Sequence, residues 1–305
     1  MKRSDIAVLL LLGALWGASF LFMRMGASEF GSMPLAGMRA IGAAACFAPL
    51  FASRHRVAEL RAYWKPLAVM GLTNSALPYV LFSFAAQILP AGLSAIFDAI
   101  TPLLVAASGW LWLNEKLNAP HMAGLVIGLA GVLWLIGDTA GFGHGGAGTI
   151  PAMLACVAAT VCYAFSVHYS HRRLKSVSPM TAAAGSQLVA ALALAPSTVW
   201  LWPAKAPGAQ AWIAMFGLAV ACTAVAYVLF FRLIARAGAA RTMIVLYLIP
   251  AFGVLWGSLF LGEAFTVAMA VGCAVILFGT ALTTGVIRFR PMATADPMPI
   301  VEETS

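Results

Sequence analysis

Charge is what this 305-residue sequence has least of: 9% of its residues are Asp, Glu, Lys or Arg, against about 25% in soluble domains. A soluble globule of this length must cover a large surface with polar groups, and 28 charged side chains (18 Lys+Arg plus 10 Asp+Glu) are too few. Apolar residues make up 62% of the chain, which also excludes a disordered protein. The composition therefore predicts an all-α integral membrane protein.

Several chemical signatures are also missing. The five cysteines lie in apolar stretches, and no His, Cys and carboxylate set has metal-ligand spacing, so we predict no metal and no other cofactor. A formal G-x-G-x-x-G begins at Gly141, but no strand precedes it, which argues against a nucleotide site. The basic residues are spread over short loops, so no nucleic-acid partner is expected. Without H-E-x-x-H or paired aspartates, an intramembrane enzyme is only a distant alternative.

Apolar stretches are frequent enough to predict ten transmembrane helices, each with the roughly 20 residues that cross about 30 Å of hydrocarbon. They cover about 6–26, 34–52, 66–88, 92–113, 119–137, 150–170, 180–201, 210–231, 242–262 and 266–287. With a cytoplasmic N-terminus, only Arg24, Arg39 and Lys205 of the 18 basic residues lie toward the outside (18 − 3 = 15 inside). The positive-inside rule then predicts that both termini are cytoplasmic and that the protein lies in the inner membrane.

An internal repeat relates the two halves of the chain. A shift of 148 positions superposes Tyr79 on Tyr227, Pro102 on Pro250, Gly109 on Gly257, Glu115 on Glu263, Gly124 on Gly272 and Gly131 on Gly279. Because the unit contains five spans, the second copy must cross the membrane in the opposite direction. Inverted repeats of this kind are typical of secondary transporters, which use them for alternating access.

The repeat divides the chain into four segments. We predict a first repeat over 6–137, a glycine-rich connecting loop over 138–149, a second repeat over 150–287 and a disordered cytoplasmic tail over 288–305. The fold class that follows is a ten-helix membrane protein made of two inverted five-helix repeats.

The residues that repeat resemble the EamA unit of the drug/metabolite transporter superfamily. The resemblance rests on Pro102 through Gly131, the opening Leu15-Trp16-Gly17-Ala18-Ser19-Phe20, the start of the second span around Arg39, and Pro250 through Gly279. It implies a carrier that exports a small molecule such as an amino acid or related metabolite. A multidrug or nucleotide-sugar carrier of the same superfamily is the alternative. The oligomeric state is not specified by the sequence, although packing within one chain favours a monomer.

Two charged residues inside spans are the main site candidates. Asp98 lies in the fourth span, one turn before Pro102, and its repeat counterpart is Leu246. A charged side chain in the hydrocarbon region is energetically costly, so Asp98 is expected to have a function or a partner. Three interpretations remain open: substrate or proton coupling, an ion pair with Arg39, or an acid in the hydrated headgroup region. Arg39 either binds a substrate carboxylate or has a structural role.

Other candidates are polar, aromatic or helix-breaking groups within spans. Trp16, Ser19, Asn74, Tyr79, Tyr163, Gln187 and Tyr227 are predicted to line the substrate site. Pro78, Pro102 and Pro250 are candidate kinks, and Glu115 and Glu263 end matching spans. For these two glutamates, a gate contact and a cap on the next helix N-terminus both stay open.

Overall fold

The computed structural model of the protein describes residues 2–114, 117–141 and 148–286. These residues are almost entirely helical and contain no β-strand. The helices are α1 (Arg3–Phe30), α2 (Ser32–Phe47), α3 (Arg54–Ala62), α4 (Trp64–Gly71), α5 (Leu77–Ala85), α6 (Ala91–Asp98), α7 (Thr101–Leu113), α8 (Ala119–Gly141), α9 (Thr149–Arg173), α10 (Pro179–Trp200), α11 (Ala209–Phe216), α12 (Ala226–Ala237), α13 (Ala239–Thr242), α14 (Val245–Leu261) and α15 (Val267–Thr283).

Eight helical segments in the described part of the chain are long and apolar enough to cross a membrane, which confirms a multi-pass membrane protein. They are Arg3–Phe30, Ser32–Ala52, Trp64–Ala85, Ala91–Trp112, Ala119–Asp138, Thr149–Arg173, Pro179–Trp200 and Ala209–Ala237. The last two predicted spans correspond to the shorter apolar helices α14 and α15, of 17 residues each. At 1.5 Å per residue each is about 26 Å long, slightly less than the hydrocarbon thickness.

Helices from the two halves pack on each other in a pseudo-symmetric pattern: when each helix is replaced by its repeat counterpart, the same pairs are in contact. α2 packs on α10, and α8 packs on α15, so each of these pairs joins a helix to its repeat counterpart. α1 packs along α14, while its counterpart α9 packs on α6 and α7, which correspond to α14. The two halves therefore share one helical bundle, and any site between them is built from both.

Glycines allow the closest of these crossings. A Cβ atom on Gly279 of α15 would overlap backbone atoms of Gly124 and Gly128 on α8, and one on Gly17 would overlap Gly253. In a bilayer the lipid is as apolar as a leucine side chain, so helices associate largely through close packing and small residues. The crossing of α8 and α15 thus depends on the absence of side chains.

We expect Gly279→Ala to lower the melting temperature of the detergent-purified protein by several degrees, because overpacking of this kind costs about 1–3 kcal/mol. The matched control is Gly137→Ala on α8, where an added Cβ meets no atom within 4 Å. Alanine is the better helix former, so the control should match or exceed the parent. Equal melting temperatures for the two variants would contradict the proposed crossing.

The connections differ in detail from the sequence expectation. α3 lies between the second and third predicted spans and belongs to neither. α8 runs through Gly141, so helix covers the first residues of the segment expected as a loop over 138–149. Residues 142–147 of that segment, Glu115, and the tail predicted over 288–305 lie outside the described residues.

Candidate functional site

The fourth span is interrupted at Asp98. α6 ends at Asp98 and α7 begins at Thr101, and the two residues between them form a tight turn with hydrogen bonds to the third residue back. Pro102, at the second position of α7, has no N–H to donate to the Asp98 carbonyl four residues earlier. The missing hydrogen bond explains why the helix breaks at this ionisable residue.

The Asp98 carboxyl is half-buried and receives neither a hydrogen bond nor an ion pair from any residue that the structure describes. Arg39 is near enough for its charge to act on Asp98. The ion pair found within residues 2–114, 117–141 and 148–286 joins Arg24 to Glu263, so Asp98 and Arg39 form no direct ion pair. Both side chains therefore remain candidates for substrate or proton binding.

Arg39 is buried on α2 and is held by weak partners. Its Nε donates to Thr223 Oγ1 at 3.0 Å, and its Nη1 lies 3.8 Å from Met23 Sδ. The guanidinium carbon lies 3.9 Å from the centroid of the Tyr79 ring, which is a cation–π arrangement. A hydroxyl, a thioether and a ring face do not neutralise the charge, so the guanidinium can still bind a carboxylate through its fork of N–H donors.

Two tyrosines at matching repeat positions each bond to a side-chain amide. Gln187 Nε2 donates to Tyr79 Oη at 3.1 Å and to Ser75 Oγ at 2.9 Å. Asn74 Nδ2 donates to Tyr227 Oη at 3.2 Å. Gln187 and Ser75 are fully buried, and a buried amide must find partners, so this network fixes the orientation of both phenol rings.

Tyr163 joins these groups into one site. It lies within electrostatic reach of Asp98, Arg39, Tyr79 and Tyr227. We call these five residues the central cluster. It draws side chains from α2, α5, α6, α9 and α12, and therefore from both halves of the chain.

Aromatic rings and a buried hydroxyl lie next to the central cluster. Tyr163 stacks on Phe82 with ring centroids 6.2 Å apart, and Phe20 meets the edge of Phe82 at 5.4 Å. Ser166, which matches Ser19 at a shift of 147, lies one helical turn from Tyr163 on α9, and its hydroxyl is buried without a hydrogen-bond partner among the described residues. Buried polar groups normally have a partner, so this hydroxyl is available to a polar ligand.

Two π-helical segments present polar residues to this site. They cover Leu72–Ala76 in the third span and Gly217–Val225 in the eighth, and a shift of 148 places the first inside the second. The first carries Asn74 and Ser75, and the second carries Thr223, the partner of Arg39. π segments occur frequently at functional sites, since the widened turn displaces side chains from the helical period.

Some predicted residues lie at the edge of the central cluster or away from it. Trp16 packs on Phe230 with ring centroids 5.2 Å apart, and Pro78 is the second residue of α5, which begins directly after the first π segment. Pro250 lies within the continuous helix α14, whereas the ninth span is interrupted earlier, between α13 and α14. Of the three prolines, only Pro102 follows directly on a break between two helices of its span.

Glu263 lies at one end of the bundle rather than at its centre. Its carboxylate accepts N–H groups from Ala91 at 2.9 Å and Gly92 at 3.4 Å, so it caps α6. The cap expected from the sequence was on the next helix, α15, but there Thr266 caps the N-terminus instead. Spacing alone did not indicate this cap, nor the parts played by Ser75, Thr223 and Met23, because their partners are distant in sequence.

Comparison with known proteins identifies relatives along nearly the whole chain. The model of the EamA-like transporter family matches residues 4–137 and 150–285. The chain is 25% identical over 281 residues to "Uncharacterized transporter YvbV" of Bacillus subtilis, covering 90% of each protein. It is 28% identical over 247 residues to "Aromatic amino acid exporter YddG" of Ancylobacter novellus, covering 80% of this chain and 84% of that one.

A further relative and a solved structure extend the match. The chain is 25% identical over 303 residues to the "Probable amino-acid metabolite efflux pump" of Escherichia coli, covering 95% of this chain and 98% of that one. A crystal structure superposes with a TM-score of 0.64 at 23% identity, covering 94% of this chain and 98% of the other. At that identity the structural match shows a shared fold.

Proposed function

Since the chain belongs to the EamA-like transporter family, we propose that it is a secondary transporter that exports an amino acid or a related small metabolite across the inner membrane. Two relatives, named as an aromatic amino acid exporter and a probable amino-acid metabolite efflux pump, support this class of substrate. The central cluster supports the same class of substrate independently of those names.

The observation that carries the proposal is an acidic and a basic side chain in one cluster that form no direct ion pair with each other. Arg39 offers N–H donors to a carboxylate, and the unpaired Asp98 offers a carboxylate to an ammonium group. A zwitterion such as an amino acid satisfies both at once. The rings of Phe20, Phe82 and Tyr163 supply the apolar wall against which its side chain packs.

Alternating access is the mechanism that the repeat supports. The helix pairs are the same when each helix is replaced by its repeat counterpart. Both halves carry a π segment at matching positions, and both contribute a tyrosine at matching positions to the central cluster. We infer ten membrane crossings arranged as two inverted repeats of five. Two nearly equivalent packings of such halves open the same site to one side or the other.

Uptake into proteoliposomes tests the substrate. Purified protein is reconstituted and supplied with labelled amino acids, cationic drugs and nucleotide sugars, each with empty liposomes as a control. We expect saturable uptake of one or more amino acids and competition between them. Saturable uptake of cationic drugs alone, or of nucleotide sugars alone, would instead support one of the other carrier classes of the superfamily.

The proposed orientation is tested with reporter fusions. We expect a fluorescent protein fused after Ser305 to fluoresce, because the C-terminus lies in the cytoplasm. Alkaline phosphatase inserted at Gly145, between the repeats, is expected to be active, since five crossings place that segment outside. Active phosphatase fused at the C-terminus would contradict the even number of crossings or their direction.

A further inference from the structure

Glu263 belongs to the second repeat, but its side chain holds a helix of the first. Gly262 ends α14 in the left-handed conformation and turns the chain so that Glu263 can reach the N-terminus of α6. There its two carboxylate oxygens accept the N–H groups of Ala91 and Gly92. A carboxylate at this position bonds to otherwise free backbone donors and complements the positive end of the helix dipole.

Arg24 strengthens this cap and extends it to a third element. Its Nη1 donates to the carbonyl of Ala86 at 2.8 Å, and its Nε lies 3.9 Å from Glu263 Oε1. The absence of a side chain at Gly257 leaves room for the Glu263 carboxylate, which a Cβ atom there would overlap. Glu263, Arg24 and the first turn of α6 therefore form one contact, which we call the latch.

The latched helix is short and carries Asp98 at its other end. α6 has eight residues, so the latch at Ala91 lies about 10 Å from Asp98 along the helix axis. Along its side α6 meets α14 through small residues: Ala95 lies against Gly253, and Gly92 lies against Val254. Small residues give a smooth contact that opposes sliding only weakly, so the polar contact that holds α6 to the end of α14 is the latch, with two hydrogen bonds and an ion pair.

The other half of the fourth span is anchored separately. His168 of α9 places its Nε2 2.9 Å from the carbonyl of Val105 and 3.1 Å from Ser108 Oγ, both on α7. The interruption after Asp98 thus separates two segments with different polar contacts: α6 is bonded to Glu263 at the end of α14, and α7 is bonded to His168 of α9, which also packs on α6. Loss of the latch would leave the contacts of His168 with α7 in place.

We propose that Glu263 is a positioning residue for transport: through α6 it fixes Asp98, and the making and breaking of its latch closes and opens this side of the substrate pathway. The proposal rests on the proposed function, since it gives the latch a part in alternating access. Its first test needs no substrate, so the two ideas can fail separately.

The test measures access to Ser94, which lies one turn beyond the latch on α6 and is 1% exposed. The five native cysteines are replaced by serine, Ser94→Cys is added as the reporter, and membrane vesicles of both orientations are treated with an impermeant maleimide. Glu263→Ala and Glu263→Gln are compared with Glu29→Ala. Glu29 is a matched control, because its carboxylate also accepts a backbone N–H, from Gly208 at 2.6 Å, but it does not contact α6.

We expect Glu263→Ala to raise the labelling rate of the Ser94→Cys reporter at least about tenfold from one side only, because the variant loses both charge-assisted hydrogen bonds to α6. Glu263→Gln keeps one acceptor oxygen and should give a smaller rise, while Glu29→Ala should leave the rate unchanged. Size-exclusion chromatography of each variant verifies the fold. A folded Glu263→Ala protein with the parental labelling rate, or one labelled equally from both sides, would overturn the proposal.

Transport by the same variants separates positioning from simple stabilisation. If Glu263 acts through Asp98, then Glu263→Gln changes the pH dependence of uptake, and Glu263→Asp restores part of the parental profile. A stabilising cap alone would lower the amount of folded protein but leave that profile unchanged, which would also contradict the proposal. If the parent transports no amino acid, the proposed substrate is wrong, and the labelling result still decides the latch.

Discussion

Replacing Asp98 with asparagine is expected to lower the rate of amino acid uptake at least about tenfold while the protein still folds. Asparagine has nearly the same shape, so the helix interruption set by Pro102 is retained. The change removes the negative charge that we propose for the substrate ammonium group or a proton. Hydrogen bonds to charged groups contribute about 1.5–3 kcal/mol, which corresponds to roughly 10- to 150-fold in rate or affinity.

The measurement is initial uptake of a labelled amino acid into proteoliposomes, with and without an imposed pH gradient. If Asp98 exchanges protons, the gradient stimulates the parent and has no effect on Asp98→Asn. If transport is facilitated diffusion, the pH gradient does not stimulate the parent either. In that case Asp98→Asn lowers only the affinity for the substrate. Asp138→Asn is the control, since Asp138 is another half-buried acid but lies near the end of α8. Parental rates in Asp98→Asn would remove this residue from the mechanism.

Arg39→Gln is expected to raise the apparent KM for amino acids about 10- to 100-fold, because a substrate carboxylate loses its charged donor. The same variant should discriminate less against decarboxylated amines, which have no carboxylate to lose. The apparent KM of Arg39→Lys is expected to lie between those of the parent and Arg39→Gln. Lysine retains the charge but neither stacks flat on Tyr79 nor offers a planar pair of donors.

Competition assays with matched pairs of amino acids and amines measure this effect. Tyr79→Phe is an informative control, since it keeps the ring under the guanidinium and removes only the hydroxyl bound to Gln187. We expect it to change the affinity much less than Arg39→Gln. An equal loss of affinity for amino acids and amines in Arg39→Gln would indicate that Arg39 supports the fold instead.

The central cluster is asymmetric although the scaffold is repeated. Asp98 faces no acidic counterpart, because the matching position in the second repeat is Leu246. The interruptions differ as well, since α6 ends just before Pro102 whereas α14 continues through Pro250. Duplication thus accounts for the two packings that the proposed alternating access requires, and divergence of one half accounts for the unmatched Asp98. A substrate bound near Asp98 therefore contacts the two halves unequally.

Much about this protein followed from the sequence alone. Hydropathy indicates that this is a membrane protein. A segment of about 20 apolar residues can cross the lipid because of its own composition and needs no partner elsewhere in the chain. The register of the repeat is also a one-dimensional property, and it relates Tyr79 to Tyr227 without any coordinates. Ionisable residues within spans, such as Asp98 and Arg39, are conspicuous for the same reason: the bilayer makes each of them costly.

Only the tertiary structure decided what these residues contact. Glu263 caps α6 rather than its own neighbour, Arg39 bonds to Thr223 rather than to Asp98, and Gln187 joins Tyr79 to Ser75. The partners in these contacts are between 108 and 184 positions apart. Contacts of about 3 Å between such residues depend on how the helices cross and where two of the spans widen into π turns. Neither property can be recognised from a periodic pattern of polar residues in an apolar sequence. In lipid, helix packing depends on the size and shape of side chains and not on their polarity.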